Sequence, residues 1–181
     1  MIKITEEITE DNYHILFAAA DAERKSMNEV IEVKSINLQH SKSYISLPVN
    51  MIVKEFLCLS DSSIISLPAN LTVNGFLNLG DCASLVAIPD DLILKSHLGV
   101  NGKTSLISLP DNMTVGGDLY YHNTSFTSLP RNLMVHKSLY LNNTPIMLLP
   151  DDLKVKGRIH VETARLAEFK KMNKKFAKKI F

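Results

Sequence analysis

Residues 139–155 read LYLNNTPIMLLPDDLKV, and this pattern returns through most of the chain every 20 or 21 residues. Each copy begins with two apolar residues one position apart, which predict a short strand with one side buried. Each copy then reaches an aliphatic residue followed by proline, which suits an extended return segment and not a central strand. The strand pairs are Ile36/Leu38, Leu57/Leu59, Leu77/Leu79, Leu98/Val100, Leu119/Tyr121, Leu139/Leu141 and Ile159/Val161, and the proline marks are Pro48, Pro68, Pro89, Pro110, Pro130 and Pro150.

One such unit is too short to enclose a core, so neighbouring units must stack and pair their strands in parallel. The sequence therefore predicts an α/β solenoid, with a right-handed parallel sheet of about seven short strands and helical caps at both ends. The predicted organisation is an N-terminal helical cap over residues 1–34, repeats over 35–162, and a basic amphipathic capping helix over 163–181. Within the first cap, the apolar stripe predicts a helix over residues 10–32.

The repeated unit LxLxx[TS]x[IF]xxLPxxLxV resembles a leucine-rich repeat of the short bacterial kind. It is similar to the repeats of secreted bacterial effectors such as YopM and the IpaH-type ubiquitin ligases, and to degenerate repeats of phage and bacterial proteins. The resemblance covers roughly residues 35–166 and implies a solenoid that binds proteins on the concave face of its sheet. The effector ligases keep their catalytic cysteine in a large C-terminal domain. Residues 162–181 contain no cysteine, so the resemblance implies no ligase activity here.

The inner turn of the repeat departs from the family pattern. Where such repeats usually carry a ladder of asparagine side chains, this chain has Ser62, Thr124 and Thr144, with Cys82 nearby in a longer unit. Hydroxyl groups can bond the adjacent backbone, but more weakly than an amide. We therefore expect a looser turn at these positions.

Composition and charge exclude several classes of function. The 181 residues include 20 basic and 19 acidic side chains, a formal net charge of +1, so no global field attracts nucleic acid or an anionic membrane. Two cysteines cannot form a disulfide framework or a four-cysteine zinc site. Neither a membrane-spanning run nor the layout of a Sec signal peptide occurs. We expect the chain to be cytoplasmic at synthesis, and export to a host by a non-Sec route stays open.

The sequence contains no motif of a known catalytic or cofactor site. No phosphate-binding loop, HExxH or CxxC is found, and no cofactor or metal is predicted. His97 and Asp118 occupy matching positions in adjacent units, so we expect them to lie about 5 Å apart. No serine or cysteine nucleophile shares their register, which favours an exposed polar pair over a catalytic dyad. An enzyme is not expected.

The residues beside and between the buried pairs form an outward row on the predicted sheet. Phe56 neighbours Phe76 in this row, and Tyr120 neighbours Tyr140. Exposed rings on a rigid sheet are typical anchors of protein interfaces, whereas the alternative for the phenylalanines is burial beneath the N-terminal helix. The predicted protein-binding residues are Phe56, Phe76, His97, Asp118, Tyr120, His122, Tyr140, Arg158 and His160.

The two ends of the chain carry opposite charge. Residues 1–34 hold four basic and eight acidic side chains, a net −4, whereas residues 162–181 hold seven basic and two acidic ones, a net +5. A homo-oligomer joined through these ends is therefore left open. The lysines of the second end recur every four residues, so a helix would place them on one side. These are Lys170, Lys171, Lys174, Lys175, Lys178 and Lys179.

The favoured function is a non-enzymatic protein-binding module whose target the sequence does not identify. By resemblance, its role is that of a bacterial or phage effector that modulates a host or cell target. The alternative is a binding protein that contacts nucleic acid or an anionic membrane through the basic C-terminal helix. The purely structural interpretation of that helix is a cap of the solenoid whose lysines form its solvated face.

Overall fold

The computed structural model describes residues 1–16, 30–43 and 46–181, and within them the chain forms a parallel β-solenoid of about six turns. The strands of these residues are β1 (Ile2–Ile8), β2 (Ile31–Asn37), β3 (Met51–Val53), β4 (Phe56–Cys58), β5 (Thr72–Val73), β6 (Phe76–Asn78), β7 (Ile93–Leu94), β8 (Leu98–Gly99), β9 (Thr114–Val115), β10 (Leu119–Tyr120), β11 (Met134–Val135), β12 (Leu139–Tyr140), β13 (Lys154–Val155) and β14 (Ile159–His160). Three short helical segments follow: a 3-10 helix at Thr163–Arg165, α1 at Leu166–Met172, and a 3-10 helix at Lys174–Phe176.

Each turn contributes two strands to one parallel sheet. Strands β3, β5, β7, β9, β11 and β13 form a first ladder, and β4, β6, β8, β10, β12 and β14 form a second. Strand β2 is long enough to begin both ladders, because its first half pairs with β3 and its second half with β4. We call the two strands of one turn a rung. The register follows the repeat, so Leu119 lies between Leu98 and Leu139 of the neighbouring rungs.

The repeated apolar residues form continuous buried columns inside the solenoid. The side chains of Leu57, Leu77, Leu98, Leu119 and Leu139 are fully buried, one on each of five successive rungs. Full burial of an aliphatic side chain of this size stabilises a fold by about 1.5–3 kcal/mol. Because no single rung encloses these side chains, their burial depends on the stacking of neighbours.

The corners between strands explain why glycine, asparagine and aspartate recur in the repeat outside its apolar positions. A Cβ on Gly75 would lie 1.2 Å from the carbonyl oxygen of Glu55 in the preceding rung, so the corner between the two ladders has no room for a side chain there. Two other corners use left-handed backbone, with φ between 53° and 62°, which asparagine and aspartate tolerate better than most residues. The residues at these corners are His40, Asp61, Asp81, Asn123 and Asn143 after the second ladder, and Asn50, Asn70, Asn112 and Asn132 before the first.

The threonine hydroxyl groups of the inner turn bond within their own rung, whereas the buried Ser62 hydroxyl has no hydrogen-bond partner among the described residues. The Oγ1 atoms of Thr124 and Thr144 each donate to the backbone carbonyl three residues earlier, at 2.9 Å. The thiol of Cys82 instead donates to the carbonyl of Leu59 in the preceding rung, also at 2.9 Å. Asparagine ladders do occur, but at the exposed left-handed corners, with amide-to-amide distances of 2.8–3.0 Å. The bonded pairs are Asn70 with Asn50, Asn132 with Asn112, and Asn143 with Asn123.

The N-terminal region contains strands where a helical cap was predicted. Strand β1 pairs in parallel with β2, so that Ile4 lies beside Val33 and Ile8 beside Ile36. Residues 2–8 therefore add a rung to the sheet, because their isoleucines continue the buried columns. The predicted helix over 10–32 falls largely on residues 17–29, which lie outside the described residues, and its last two positions belong to β2.

The C-terminal segment is divided, and not one helix over 163–181. Asn173 leaves helical geometry at φ −111° and ψ 54°, which ends α1. Beyond the second 3-10 helix the chain extends, and Ile180 forms a parallel bridge with Ile159 of β14. The apolar side chains of this segment do not share one environment, because Phe169, Phe176 and Ile180 are buried whereas Met172 is exposed.

Two polar side chains of this segment bond the last rung. Arg165 donates from one guanidinium nitrogen to the carbonyls of Thr144 (2.8 Å) and Ile146 (2.9 Å), and from the other to Leu141 (2.8 Å). Asn173 accepts from the Leu149 N–H (2.8 Å) and donates to the Met147 carbonyl (2.9 Å). These bonds replace the backbone partners that a further rung would supply.

Candidate protein-binding surface

The outward side chains of the second ladder form a row of rings that we call the aromatic face. Tyr120 is half-buried, although its sequence neighbours Leu119 and Tyr121 are fully buried on the other side of the backbone. This alternation follows from strand geometry, in which successive side chains point to opposite faces. The aromatic face consists of Phe76, His97, Tyr120, His122, Tyr140 and His160.

Three of these rings form a continuous stack along the last rungs. The centroids of Tyr120 and Tyr140 lie 4.9 Å apart with planes 14° from parallel, and Tyr140 and His160 lie 4.5 Å apart at 7°. Parallel pairing of β10, β12 and β14 places these residues at equivalent positions, about 4.8 Å apart. The faces of Tyr140 are therefore covered by its neighbours, and this ring exposes mainly its edge and its hydroxyl.

Gly99 has no side chain, which lets the Phe76 ring contact Tyr120 two rungs away. Gly99 occupies the outward position of β8, and a Cβ there would lie 3.2 Å from the Phe76 ring. The Phe76 ring therefore lies over the glycine and meets Tyr120 edge-on, with centroids 6.3 Å apart. Phe76 keeps 37% of its surface exposed.

Tyr120 is the centre of the aromatic face. The His97 and His122 rings each lie 6.3 Å from its centroid, and the latter meets it edge-on. Burial, the nearby Asp118 carboxylate and Tyr140 raise the pKa of the Tyr120 hydroxyl above its ordinary value. The Tyr120 side chain therefore offers a neutral hydroxyl at physiological pH.

His97 and Asp118 bond the backbone at the corner between the ladders. The Nδ1 atom of His97 accepts from the Asp118 N–H at 3.0 Å, and the Asp118 carboxylate accepts from the Ser138 N–H at 2.7 Å. The hydroxyl of Ser138 continues the series by accepting from the Arg158 N–H at 3.2 Å. Nδ1 of His97 also lies 3.1 Å from a carboxylate oxygen of Asp118, closer than the separation of about 5 Å predicted for the pair. Both side chains thus have a structural role besides the predicted binding role.

The other predicted site residues lie at the two ends of the aromatic face. Phe56 lies beside Phe76 in register and is half-buried. Its predicted alternative, burial beneath an N-terminal helix, involves residues 17–29, which lie outside the described residues. Arg158 is exposed on the last rung, with its guanidinium 4.6 Å from the centroid of Phe181, and the Lys170 amine lies 5.9 Å from the same ring. The row therefore ends in basic groups.

The C-terminal lysines do not share one helix face. Lys170 and Lys171 belong to α1, Lys174 and Lys175 to the following 3-10 helix, and Lys178 and Lys179 come after both. The amine of Lys175 donates to the Asp151 carbonyl, and that of Lys179 to the Val155 carbonyl at the open edge of β13. Lysine is a common way to block an exposed strand edge. The exposed lysines without such a bond to the last rung are Lys171, Lys174 and Lys178.

No protein-family model, curated protein or solved structure matches this chain. Within residues 1–16, 30–43 and 46–181, no group of three or more histidine, cysteine or acidic side chains could hold a metal ion. Among the same residues, no helix has the length and apolar character needed to cross a bilayer.

Proposed function

We propose that this protein is a non-enzymatic protein-binding module that recognises its target through the aromatic face. The observation that supports this proposal is the stack of Tyr120, Tyr140 and His160, which is partly exposed on rigid paired strands. Aromatic side chains dominate binding energy at protein interfaces because they bury a large area with few rotatable bonds. Stacking within the row further limits their motion before a partner arrives, which lowers the entropic cost of binding.

The geometry of the stack favours a protein over a base or a sugar as the ligand. A nucleic acid bound by stacking needs free ring faces. The faces of Tyr140 are covered by Tyr120 and His160, so this ring presents mainly its edge and hydroxyl. Edges that combine apolar carbon with hydroxyl and imidazole groups suit the mixed surface of a protein partner.

The finer assignment to leucine-rich repeats is part of the same proposal. The repeat unit and the parallel sheet suit a solenoid of that kind, and buried Phe169, Phe176 and Ile180 suit a cap at the C-terminal end. By this resemblance, the module acts as a bacterial or phage effector on a protein of a host or cell.

A second candidate function is electrostatic contact through the C-terminal segment. Exposed Lys171, Lys174 and Lys178, together with Arg158, favour an anionic partner such as nucleic acid or a membrane surface. Lys175 and Lys179 weaken this candidate because their amines already bond backbone carbonyls. Phosphate contacts release counterions, so this mode predicts an affinity that falls steeply with salt.

An affinity capture from the native cell with three forms of the protein tests the proposal. We expect the wild type and the Lys171→Gln, Lys174→Gln, Lys178→Gln variant to retain the same partner at physiological salt. The Tyr120→Ala, Tyr140→Ala variant should lose it, because truncation removes two of the three rings of the stack. Loss of the partner in the lysine variant, with retention in the tyrosine variant, would replace the proposal by the electrostatic alternative.

A further inference from the structure

A second apolar surface lies on the return segments, away from the aromatic face. The residue two positions before the aliphatic of each aliphatic-proline pair is Ile65, Val86 and Ile107 on three successive turns. Their side chains are 45%, 56% and 91% exposed. Ile45 has the same register but lies outside the described residues. We call Ile65, Val86 and Ile107 the aliphatic ridge.

The aliphatic ridge is a regular feature of neighbouring turns. The Val86 N–H donates to the Ile65 carbonyl at 3.0 Å, and Ser66 and Ala87 form a parallel bridge beside them. The preceding residues Leu85 and Leu106 point inward and are buried. The core therefore already has its aliphatic residue at each turn, and Val86 and Ile107 add nothing to it. Large aliphatic groups exposed side by side are typical of interaction surfaces.

A carboxylate without a partner lies next to the aliphatic ridge. Asp90 lines one groove with Val86 and Ile107, and a second, adjoining groove with Ile93, which is 53% exposed. In the described part of the chain, the Asp90 side chain makes no hydrogen bond or ion pair.

The neighbouring acidic residues Asp91 and Asp111 do have partners. The Asp91 carboxylate accepts from the Asn70 N–H at 2.9 Å, and Asp111 accepts from the Arg131 N–H at 2.8 Å. These two carboxylates serve the corner, as Asp118 does between the ladders. Asp90 differs because, among the described residues, no group bonds its carboxylate, which lies beside exposed aliphatic side chains.

We propose that the aliphatic ridge and Asp90 form a docking site for a basic amphipathic segment of a partner protein, with a lysine or arginine between aliphatic side chains. Three aliphatic residues spaced by about 4.8 Å span roughly the width of one helix. A cation opposite Asp90 gains charge complementarity, which guides association and orients the partner. Two copies of this chain that met face to face through this surface would bring their Asp90, Asp91 and Asp111 carboxylates together, so this mode of self-association is disfavoured.

Binding of a designed tryptophan-containing peptide tests this site, because the protein adds no tryptophan fluorescence of its own. The chain contains no tryptophan, so a leucine- and lysine-containing amphipathic helix with one tryptophan reports binding by its own fluorescence. We expect saturable binding to the wild type. The Val86→Ser, Ile107→Ser variant should bind at least about tenfold more weakly, because it loses the exposed aliphatic anchors. Asp90→Asn should weaken binding less and reduce its salt dependence.

Two controls test whether the peptide binds specifically at the aliphatic ridge. Tyr120→Ala, Tyr140→Ala should bind the peptide as the wild type does, which separates this site from the aromatic face. A matched peptide with glutamate in place of lysine should not bind. Both ridge positions are exposed, so the thermal midpoint of the serine variant should stay close to that of the wild type. Equal affinity of the wild type and the serine variant, or no binding of the lysine peptide to the wild type, would overturn the proposal.

Discussion

The strands of the second ladder present two rows of side chains that differ in how they vary from rung to rung. The inward row reads Leu57, Leu77, Leu98, Leu119, Leu139 and Ile159, and every member is fully buried. The outward row on the same strands reads Cys58, Asn78, Gly99, Tyr120, Tyr140 and His160. The inward row has to fill a column of fixed spacing, so nearly the same side chain returns each time. The outward row is free of that constraint, so its residues can be set by a ligand.

Removal of the residues that cover the last rung should have the largest effect on the inward row. A chain that ends before residue 163 loses buried Phe169, Phe176 and Ile180, which leaves Ile159 and Val161 open to water. We expect this truncation to aggregate and to lose cooperative unfolding, as judged by size-exclusion chromatography and urea denaturation. A truncated chain that stays monomeric and unfolds cooperatively would show that the segment is not a cap.

A smaller loss is expected when only the polar cover is removed. Asn173→Ala deletes the bonds to the Leu149 N–H and the Met147 carbonyl at a buried position. The cost should be about 1–3 kcal/mol in the free energy of unfolding, because these backbone groups lose their partner. Lys174→Ala is the matched control, since Lys174 is exposed in the next position and should change stability little. Equal effects of the two substitutions would contradict the assigned role of Asn173.

The buried column beside the inward row, formed by Leu59, Leu79, Val100, Tyr121 and Leu141, contains one residue whose substitution should stabilise the protein. Tyr121 replaces an aliphatic residue at this level and stacks on Phe126 at 4.4 Å, but its buried hydroxyl has no hydrogen-bond partner within the described residues. Tyr121→Phe removes that hydroxyl and keeps the ring. We expect a gain of about 1 kcal/mol, measured by urea denaturation, because a buried polar group without a partner is costly. A loss of similar size would show that the hydroxyl is bonded.

The two cysteines allow the exposed and the buried environment to be compared without any substitution. Cys58 lies on the outward row and is partly exposed, whereas Cys82 is fully buried. Burial raises the pKa of the Cys82 thiol to about 11, so its reactive thiolate is scarce at pH 8. A thiol reagent should label Cys58 rapidly in the native protein and Cys82 only after unfolding, as peptide mapping would show. Comparable native rates at both sites would contradict the burial of Cys82.

The sequence predicts the second ladder well because its strands carry the most regular pattern in the chain. All seven predicted apolar pairs begin on β2 or on a strand of this ladder. The adjacency of Tyr120 and Tyr140 follows from the same register and is confirmed by the stacked rings. The first ladder escapes prediction because the segment around each proline is interpreted as a return segment, although pairs such as Leu71/Val73 and Leu133/Val135 carry the same alternation of apolar residues. Strand β1 escapes because the proline mark of the repeat is absent around it.

The parts that depend on individual tertiary contacts could not be predicted. The lysine spacing favours one helix over 163–181, but Asn173 bonds three backbone groups around it and ends α1. In the aromatic face, Phe76 reaches Tyr120 only because Gly99 leaves a gap, and that contact crosses two rungs. The sequence predicts an exposed Asp118 side chain, yet its carboxylate accepts a hydrogen bond from the Ser138 N–H at the next corner. The pattern of residue types predicts the register of a row of side chains. It does not predict which side chain contacts a residue two rungs away.

Urea denaturation of adjacent inward and outward variants tests the central claim most directly. Leu119→Ala should lower the free energy of unfolding by about 2–5 kcal/mol, because it loses burial and leaves a cavity in the column. Tyr120→Ala, Tyr140→Ala should lower it by about 1–3 kcal/mol in total, the value of two lost ring stacks at about 0.5–1.5 kcal/mol each, so each removed ring costs less than the one removed leucine side chain. A loss per removed ring as large as the loss in Leu119→Ala would contradict the account, because the aromatic face would then belong to the core and would not be available to a partner.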